Sequence, residues 1–153
     1  MPPPVCPPVA ENIMSQPDLV IFDCDGVLVD SEIIAARVEA ELITAAGYEI
    51  TPEELAETYA GLTFKDILIA IEEKAGIPFQ ASMIDQAEAL IDQRLARDVR
   101  AIEGAAQAVA AVAGPRCICS NSRTERIEIT LGKTGLLPLF AGGIFSALET
   151  PSG

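Results

Sequence analysis

The 153-residue chain contains no histidine. That absence removes Ser–His and Cys–His nucleophile systems from consideration. Basic residues are scarce as well: ten Lys and Arg stand against 23 Asp and Glu, a formal charge of −13. A field of that sign repels nucleic acid and anionic membranes, which excludes both as partners. No window approaches the roughly 18 consecutive apolar residues of a membrane span. There is no tryptophan, and two Tyr and five Phe are the whole aromatic content. With alanine abundant, the composition favours closely packed helices. The four cysteines, Cys6, Cys24, Cys117 and Cys119, have no zinc-like spacing. Cys117 and Cys119 form C-x-C in an apolar run, which predicts reduced core residues and a cytoplasmic setting rather than a disulfide framework.

Half of the residues are hydrophobic, enough for one packed domain or a small core with a lid. The most informative stretch is Leu19-Val20-Ile21-Phe22-Asp23-Cys24-Asp25-Gly26. Four apolar residues run straight into two carboxylates at i and i+2, then a glycine. A short apolar run closed by a turn signal predicts a buried strand of a parallel sheet. Open α/β sheets bind ligands at the carboxyl ends of their strands. Asp23 and Asp25 point the same way on an extended chain, so both can serve one site. Carboxylates there can hold a hard cation such as Mg²⁺, attack phosphorus, or move a proton. Gly26 gives the backbone a tight exit and admits a ligand closely. A solvated Asp-Gly turn after a core strand accounts for the same local pattern.

The remaining elements follow in order. Met1 to Gln16 is a proline-rich leader without a basic n-region, expected to be disordered, with a second possible start at Met14. The first strand covers Asp18 to Cys24. Helices are predicted from Ser31 to Ala46, from a Thr51-Pro52-Glu53-Glu54 cap to Tyr59, from Thr63 to Ala75, and from Ser82 to Asp98. An Ala-rich helix from Gly104 to Ala113 leads to a strand at Arg116 to Cys119. Ser120-Asn121-Ser122 then turns into a further helix, with Ser122 to Glu125 readable as a capping box. A helix start of this kind binds phosphate through its free N–H groups. Gly132-Lys133-Thr134 is not a nucleotide-binding loop, because the glycine that motif needs five residues earlier is Ile127. Gly143 to Leu148 forms a third strand, and Glu149 to Gly153 a loop. Lys65, Lys74, Arg123 and Arg126 read as solvated surface charges.

Phe22-Asp23-Cys24-Asp25-Gly26-Val27-Leu28-Val29-Asp30-Ser31-Glu32 resembles the first motif of the haloacid dehalogenase-like hydrolase superfamily. Its Val-Asp-Ser-Glu tail is most similar to the branch of phosphoglycolate phosphatases, β-phosphoglucomutases and sugar-phosphate phosphatases. The apolar strand ending in Ser120 resembles the superfamily's second motif. The resemblance implies an α/β fold: a Rossmann-like parallel sheet core, incomplete here, with an inserted helical cap. Residues 18–30 and 100–153 would form the core, 31–99 the cap, and 1–17 the leader. The Gly61-Leu62-Thr63 loop falls where relatives place a substrate-facing cap loop.

The resemblance further implies a Mg²⁺-dependent phosphatase acting on a small phosphorylated metabolite through an aspartyl-phosphate. Asp23 would be the nucleophile and Asp25 the acid and base. The Asp23 side chain and the Asp25 backbone carbonyl would hold Mg²⁺, while Ser120 and Asn121, with Gly26 beside them, would bind the phosphoryl group. The lysine of the third motif and the acids of the fourth do not occur, so the chain reads as the N-terminal part of a longer protein and is expected to be inactive alone. A phosphomutase and a non-catalytic fragment remain alternatives. True dehalogenation is disfavoured, because relatives with that chemistry lack the second Asp of the pair.

Overall fold

The computed structural model describes residues 17–149. The proline-rich leader and the loop at Thr150 to Gly153 lie outside the described residues. Three parallel strands, β1 (Val20–Phe22), β2 (Arg116–Ser120) and β3 (Ile144–Ser146), stand in the order β1-β2-β3. Four helices intervene between β1 and β2 before the core helix: α1 (Ser31–Ala45), α2 (Pro52–Thr58), α3 (Phe64–Ala75) and α4 (Ser82–Asp98). They are followed by α5 (Ala105–Ala111), and α6 (Thr124–Thr134) joins β2 to β3.

Local chemistry sets most helix ends. Thr51 accepts the Glu54 N–H while Glu54 accepts the Thr51 N–H, a complete capping box with Pro52 in the first turn. Thr63 accepts the Asp66 N–H at the start of α3, and Gly76 ends that helix at φ +68°. Gly132-Lys133-Thr134 forms the end of α6 and no phosphate loop.

Two apolar clusters hold the chain. One joins the sheet to α1, α4, α5 and α6 through Val38, Ile91, Leu95, Val109, Ile118, Ile127 and their neighbours. The other gathers Ile43, Leu55, Ile67, Leu68, Ile71 and Met83 beneath α2 and α3. Helices α1 and α4 contribute to both. Burial of such clusters, at roughly 25 cal/mol per Å² of apolar surface, is what makes these short elements stable. The chain leaves the sheet region at Asp30 and returns at Arg100, and the two passages are tied together. The Asp30 N–H donates to the Arg100 carbonyl, the Arg100 N–H to the Asp30 carboxylate, and Val29 bridges Ala101.

The sheet corrects two expectations. β1 is shorter than Asp18 to Cys24 and is not buried on both faces, for Ile21 is 61% exposed. Cys119, expected in the core, is exposed, whereas Cys117 is buried. Register and alternation explain both. Ile21, Cys119 and Phe145 share one open face of the sheet, on which Cys117 is buried beside Gly142. The opposite face, with Phe22, Ile118 and Ile144, packs into the first cluster. An apolar run announces a strand but not whether both of its faces are covered. Among the described residues no helix is long and apolar enough to cross a membrane.

Candidate active site

The carboxyl ends of β1 and β2 open into a cavity of about 350 Å³. From the sheet side it is lined by Asp23, Asp25, Ser120, Asn121, Ser122 and Arg126; from α1 and α4 come Ser31, Glu32, Ala35, Ile91 and Leu95. Parallel pairing of β1 with β2 sets the Asp23 and Ser120 turns side by side, which is how an open parallel sheet builds a site.

The two aspartates have different surroundings. Asp23 accepts one hydrogen bond on Oδ1, from the Cys24 N–H at 2.7 Å, and Oδ2 accepts none among the described residues. Asp25 is gripped on both oxygens. Ser31 Oγ donates to Oδ1 at 2.7 Å, while Ser120 Oγ and Ser122 Oγ donate to Oδ2 at 3.0 and 2.8 Å. Hydrogen bonds to a charged acceptor are about twice as strong as neutral ones, so three of them fix this carboxylate firmly. Ser120 is nearly fully buried, and its oxygen also accepts the Ser122 N–H at 3.0 Å. Its single proton therefore goes to Asp25.

The cysteine between the acids is not a nucleophile. Burial, then the Asp25 charge beside it, pushes the Cys24 thiol up to about 12, although its contact with Thr130 acts the other way. It is a neutral core side chain.

Gly26 does not line the cavity. It adopts φ +69°, and a Cβ built there would come within 2.7 Å of the Glu32 carboxyl carbon. Glu32, not a ligand, occupies the space this glycine leaves. No residue of the Gly61-Leu62-Thr63 loop lines the cavity either, nor does Lys65.

Two expectations about α6 change. Ser122 is not its cap: the cap residue is Arg123, with no side-chain cap bond, and the Ser122 hydroxyl turns to Asp25 instead. Arg126 is not a surface charge. Its side chain is 15% exposed, and it binds Asp92 and Glu88 of α4. Arg123 also pairs with Asp92, at 2.6 Å. Ser31, Ser122 and Arg126 thus line the cavity although no role in the site was assigned to them from sequence. The Ser in Val-Asp-Ser-Glu and the second Ser of Ser-Asn-Ser were the available signals.

No cluster of three or more metal-ligating side chains occurs among the described residues. Two carboxylates at one strand end are nonetheless a donor set that suits Mg²⁺, which takes one or two carboxylates and keeps several waters. Asp23, with an unengaged oxygen, is the better placed of the two.

Known proteins resemble this chain along most of its length. It is 30% identical over 140 residues to the 6-phosphogluconate phosphatase of Escherichia coli, covering 89% of this chain and 62% of that one. A conserved haloacid dehalogenase-like protein of Agrobacterium tumefaciens is 55% identical, with a TM-score of 0.81 over 86% of this chain and 60% of that one. A hydrolase of the same family from Deinococcus radiodurans, solved with bound phosphate and sodium, is 32% identical, with a TM-score of 0.68 over 84% and 57%. The chain therefore spans about three fifths of the length of these relatives. The family model of haloacid dehalogenase-like hydrolases matches residues 17–153, which include the paired acids of β1 and the serine turn of β2. By that match and these relatives, the chain belongs to the haloacid dehalogenase-like hydrolase family.

Proposed function

We propose that the protein is a phosphomonoester hydrolase for a small phosphorylated metabolite of the sugar-phosphate type. The observation that carries this reading is the contrast between the two aspartates: Asp23 has a carboxylate oxygen unengaged at the cavity, and Asp25 is held by three hydroxyls. That division suits a nucleophile and a positioned proton carrier. The phosphatase relative from Escherichia coli and the cavity of about 350 Å³ support the substrate class.

In the reaction, an Asp23 oxygen attacks phosphorus and the bond to the leaving alcohol oxygen breaks. Asp25, which enters this step carrying a proton, gives it to the departing alcohol and becomes the carboxylate. Asp25 then accepts a proton from water as the water oxygen attacks the aspartyl-phosphate. Inorganic phosphate leaves and Asp23 is restored. Ser120 and Asn121 bind the phosphoryl oxygens, Ser120 by swinging its hydroxyl away from Asp25. The Asp23 carboxylate and the Asp25 backbone carbonyl would hold Mg²⁺, whose charge offsets that of the phosphoryl group when bound. The Ile91 and Leu95 side chains close the α4 wall and limit water. Residues 31–99 serve as the cap and 18–30 with 100–153 as the core.

This 153-residue chain by itself is a poor catalyst in this reading. Arg126 is the only cation lining the cavity among the described residues, and it is already tied to two carboxylates. Charge developing on a phosphoryl group needs preorganised positive partners, each worth several kcal/mol. The test is kinetic. With a generic phosphate ester and Mg²⁺, the full-length protein should turn over, and Asp23→Asn and Asp25→Asn should each lose at least a thousandfold. Activity within tenfold of wild type in either variant removes that residue from the mechanism.

A further inference from the structure

We propose that Arg126 is the joint that locks α4 over the cavity, with Asp92 and Glu88 as the residues that position it. The geometry is compact. Arg126 lies in the first turn of α6, close behind the Ser120-Asn121-Ser122 turn. Its Nε donates to Asp92 Oδ1 at 2.6 Å and its Nη2 to Glu88 Oε2 at 2.5 Å. Glu88 and Asp92 stand one turn apart on α4, and the rigid guanidinium reaches each with a separate nitrogen, where a lysine ammonium offers a single nitrogen. Arg123 adds a bond to Asp92 Oδ2 at 2.6 Å. Arg97 pairs with its sequence neighbour Asp98, and Arg94 reaches Glu41, 53 positions away, to tie α4 to α1; Arg126 reaches residues 34 and 38 positions away and ties α4 to α6 behind the serine turn.

The consequence reaches the cavity. Ile91, beside Asp92, and Leu95, one turn on, form its α4 wall, and Arg126 lines it from the other side. Glu88 and Asp92 do not line it. A change at Asp92 can therefore reach the substrate only through Arg126 or through the placement of α4. Removing the guanidinium leaves Glu88 and Asp92, one turn apart on α4, with only the half-exposed Arg123 between them, 2.6 Å from Asp92 and 3.8 Å from Glu88, so repulsion adds to the lost bonds. The structural claim stands whatever the reaction is; its kinetic consequence rests on the phosphatase reading.

Amide hydrogen exchange on the full-length protein tests the joint without any activity. Arg126→Gln and Asp92→Asn should each speed exchange in α4 residues 88–95 at least tenfold, with β2 and α5 within twofold of wild type. Arg126→Lys should fall between wild type and Arg126→Gln. Exchange in α4 within twofold of wild type in both variants overturns the joint, and so does equal acceleration in β2 and α5. For the kinetic arm, Asp92→Asn should raise KM for a sugar phosphate at least fivefold with kcat within threefold. An unchanged KM beside accelerated exchange overturns the positioning role of Asp92. A wild-type protein that hydrolyses no ester refutes the phosphatase reading and leaves the exchange result to decide the joint.

Discussion

Ser122 Oγ donates to Asp25 Oδ2 at 2.8 Å, joining two residues 97 positions apart in the chain. Together with Ser120 and Ser31 it turns a carboxylate at the end of a three-residue strand into a fixed group. Ser122→Ala should therefore lower kcat/KM of the full-length protein on a phosphate ester by about tenfold, since a hydrogen bond to a charged group contributes roughly 1.5 kcal/mol or more. The thermal midpoint should move by no more than a few degrees, because Ser122 caps no helix. A variant with unchanged kcat/KM would show that Asp25 is held well enough by the other two hydroxyls.

Gly26 should resist substitution for a reason unrelated to ligand access. At φ +69° an alanine carries a left-handed strain of about 1–2 kcal/mol. Its Cβ would also meet the Glu32 carboxyl group. Gly26→Ala should lose that strain of about 1–2 kcal/mol plus the cost of the clash in urea unfolding, and adding Glu32→Ala should recover only the clash. Full recovery in the double variant would mean that backbone strain is negligible there.

Glu39, half-buried on α1, gives stability a pH dependence. Burial, and then the charge of Glu88, raises its folded-state value from 4.5 to about 7. The folded form thus holds the proton more tightly than the unfolded form. Stability from this residue is full below about pH 4.5, falls as pH rises toward 7, and stays lost above it. After discounting for the side chain's residual contact with water, the loss is about 2 kcal/mol. Glu39→Gln should be more stable than wild type by about that amount at pH 8 and equal to it near pH 4.5. Parallel stability–pH curves for the two proteins would contradict this.

The uncovered sheet face makes a prediction about association. Ile21, Cys119 and Phe145 present apolar surface on one side of the strands. This 153-residue chain should bind the dye ANS in its folded state, and Phe145→Lys should reduce the signal at least twofold while changing stability by less than about 0.5 kcal/mol. Undiminished dye binding would locate the exposed surface elsewhere.

What could be read from the sequence was what depends on near neighbours. Thr51 with Glu54, Thr63 with Asp66, and Gly76 at a helix end act within four residues, and their geometry is as expected. The run of four helices behind the acid turn was legible from apolar spacing and caps, and the parallel α/β fold from the family resemblance. Three features were not legible, two because a partner lies far along the chain and one because nothing covers the residues concerned. Ser122 satisfied a local capping pattern, but Asp25 competes for its hydroxyl and wins. Arg126 looks solvated until α4 brings two carboxylates to it. Ile21 and Cys119 belong to an apolar pattern that cannot report the absence of a covering layer.

The most direct test of the account is the site of phosphoryl transfer. Full-length protein is mixed with a phosphate ester and Mg²⁺, quenched in acid within milliseconds, and digested for mass spectrometry. The account predicts one phosphoryl group on Asp23, in the peptide that holds Asp25 unmodified, and no label in Asp23→Asn. Label on any other residue, or label that survives Asp23→Asn, would contradict it.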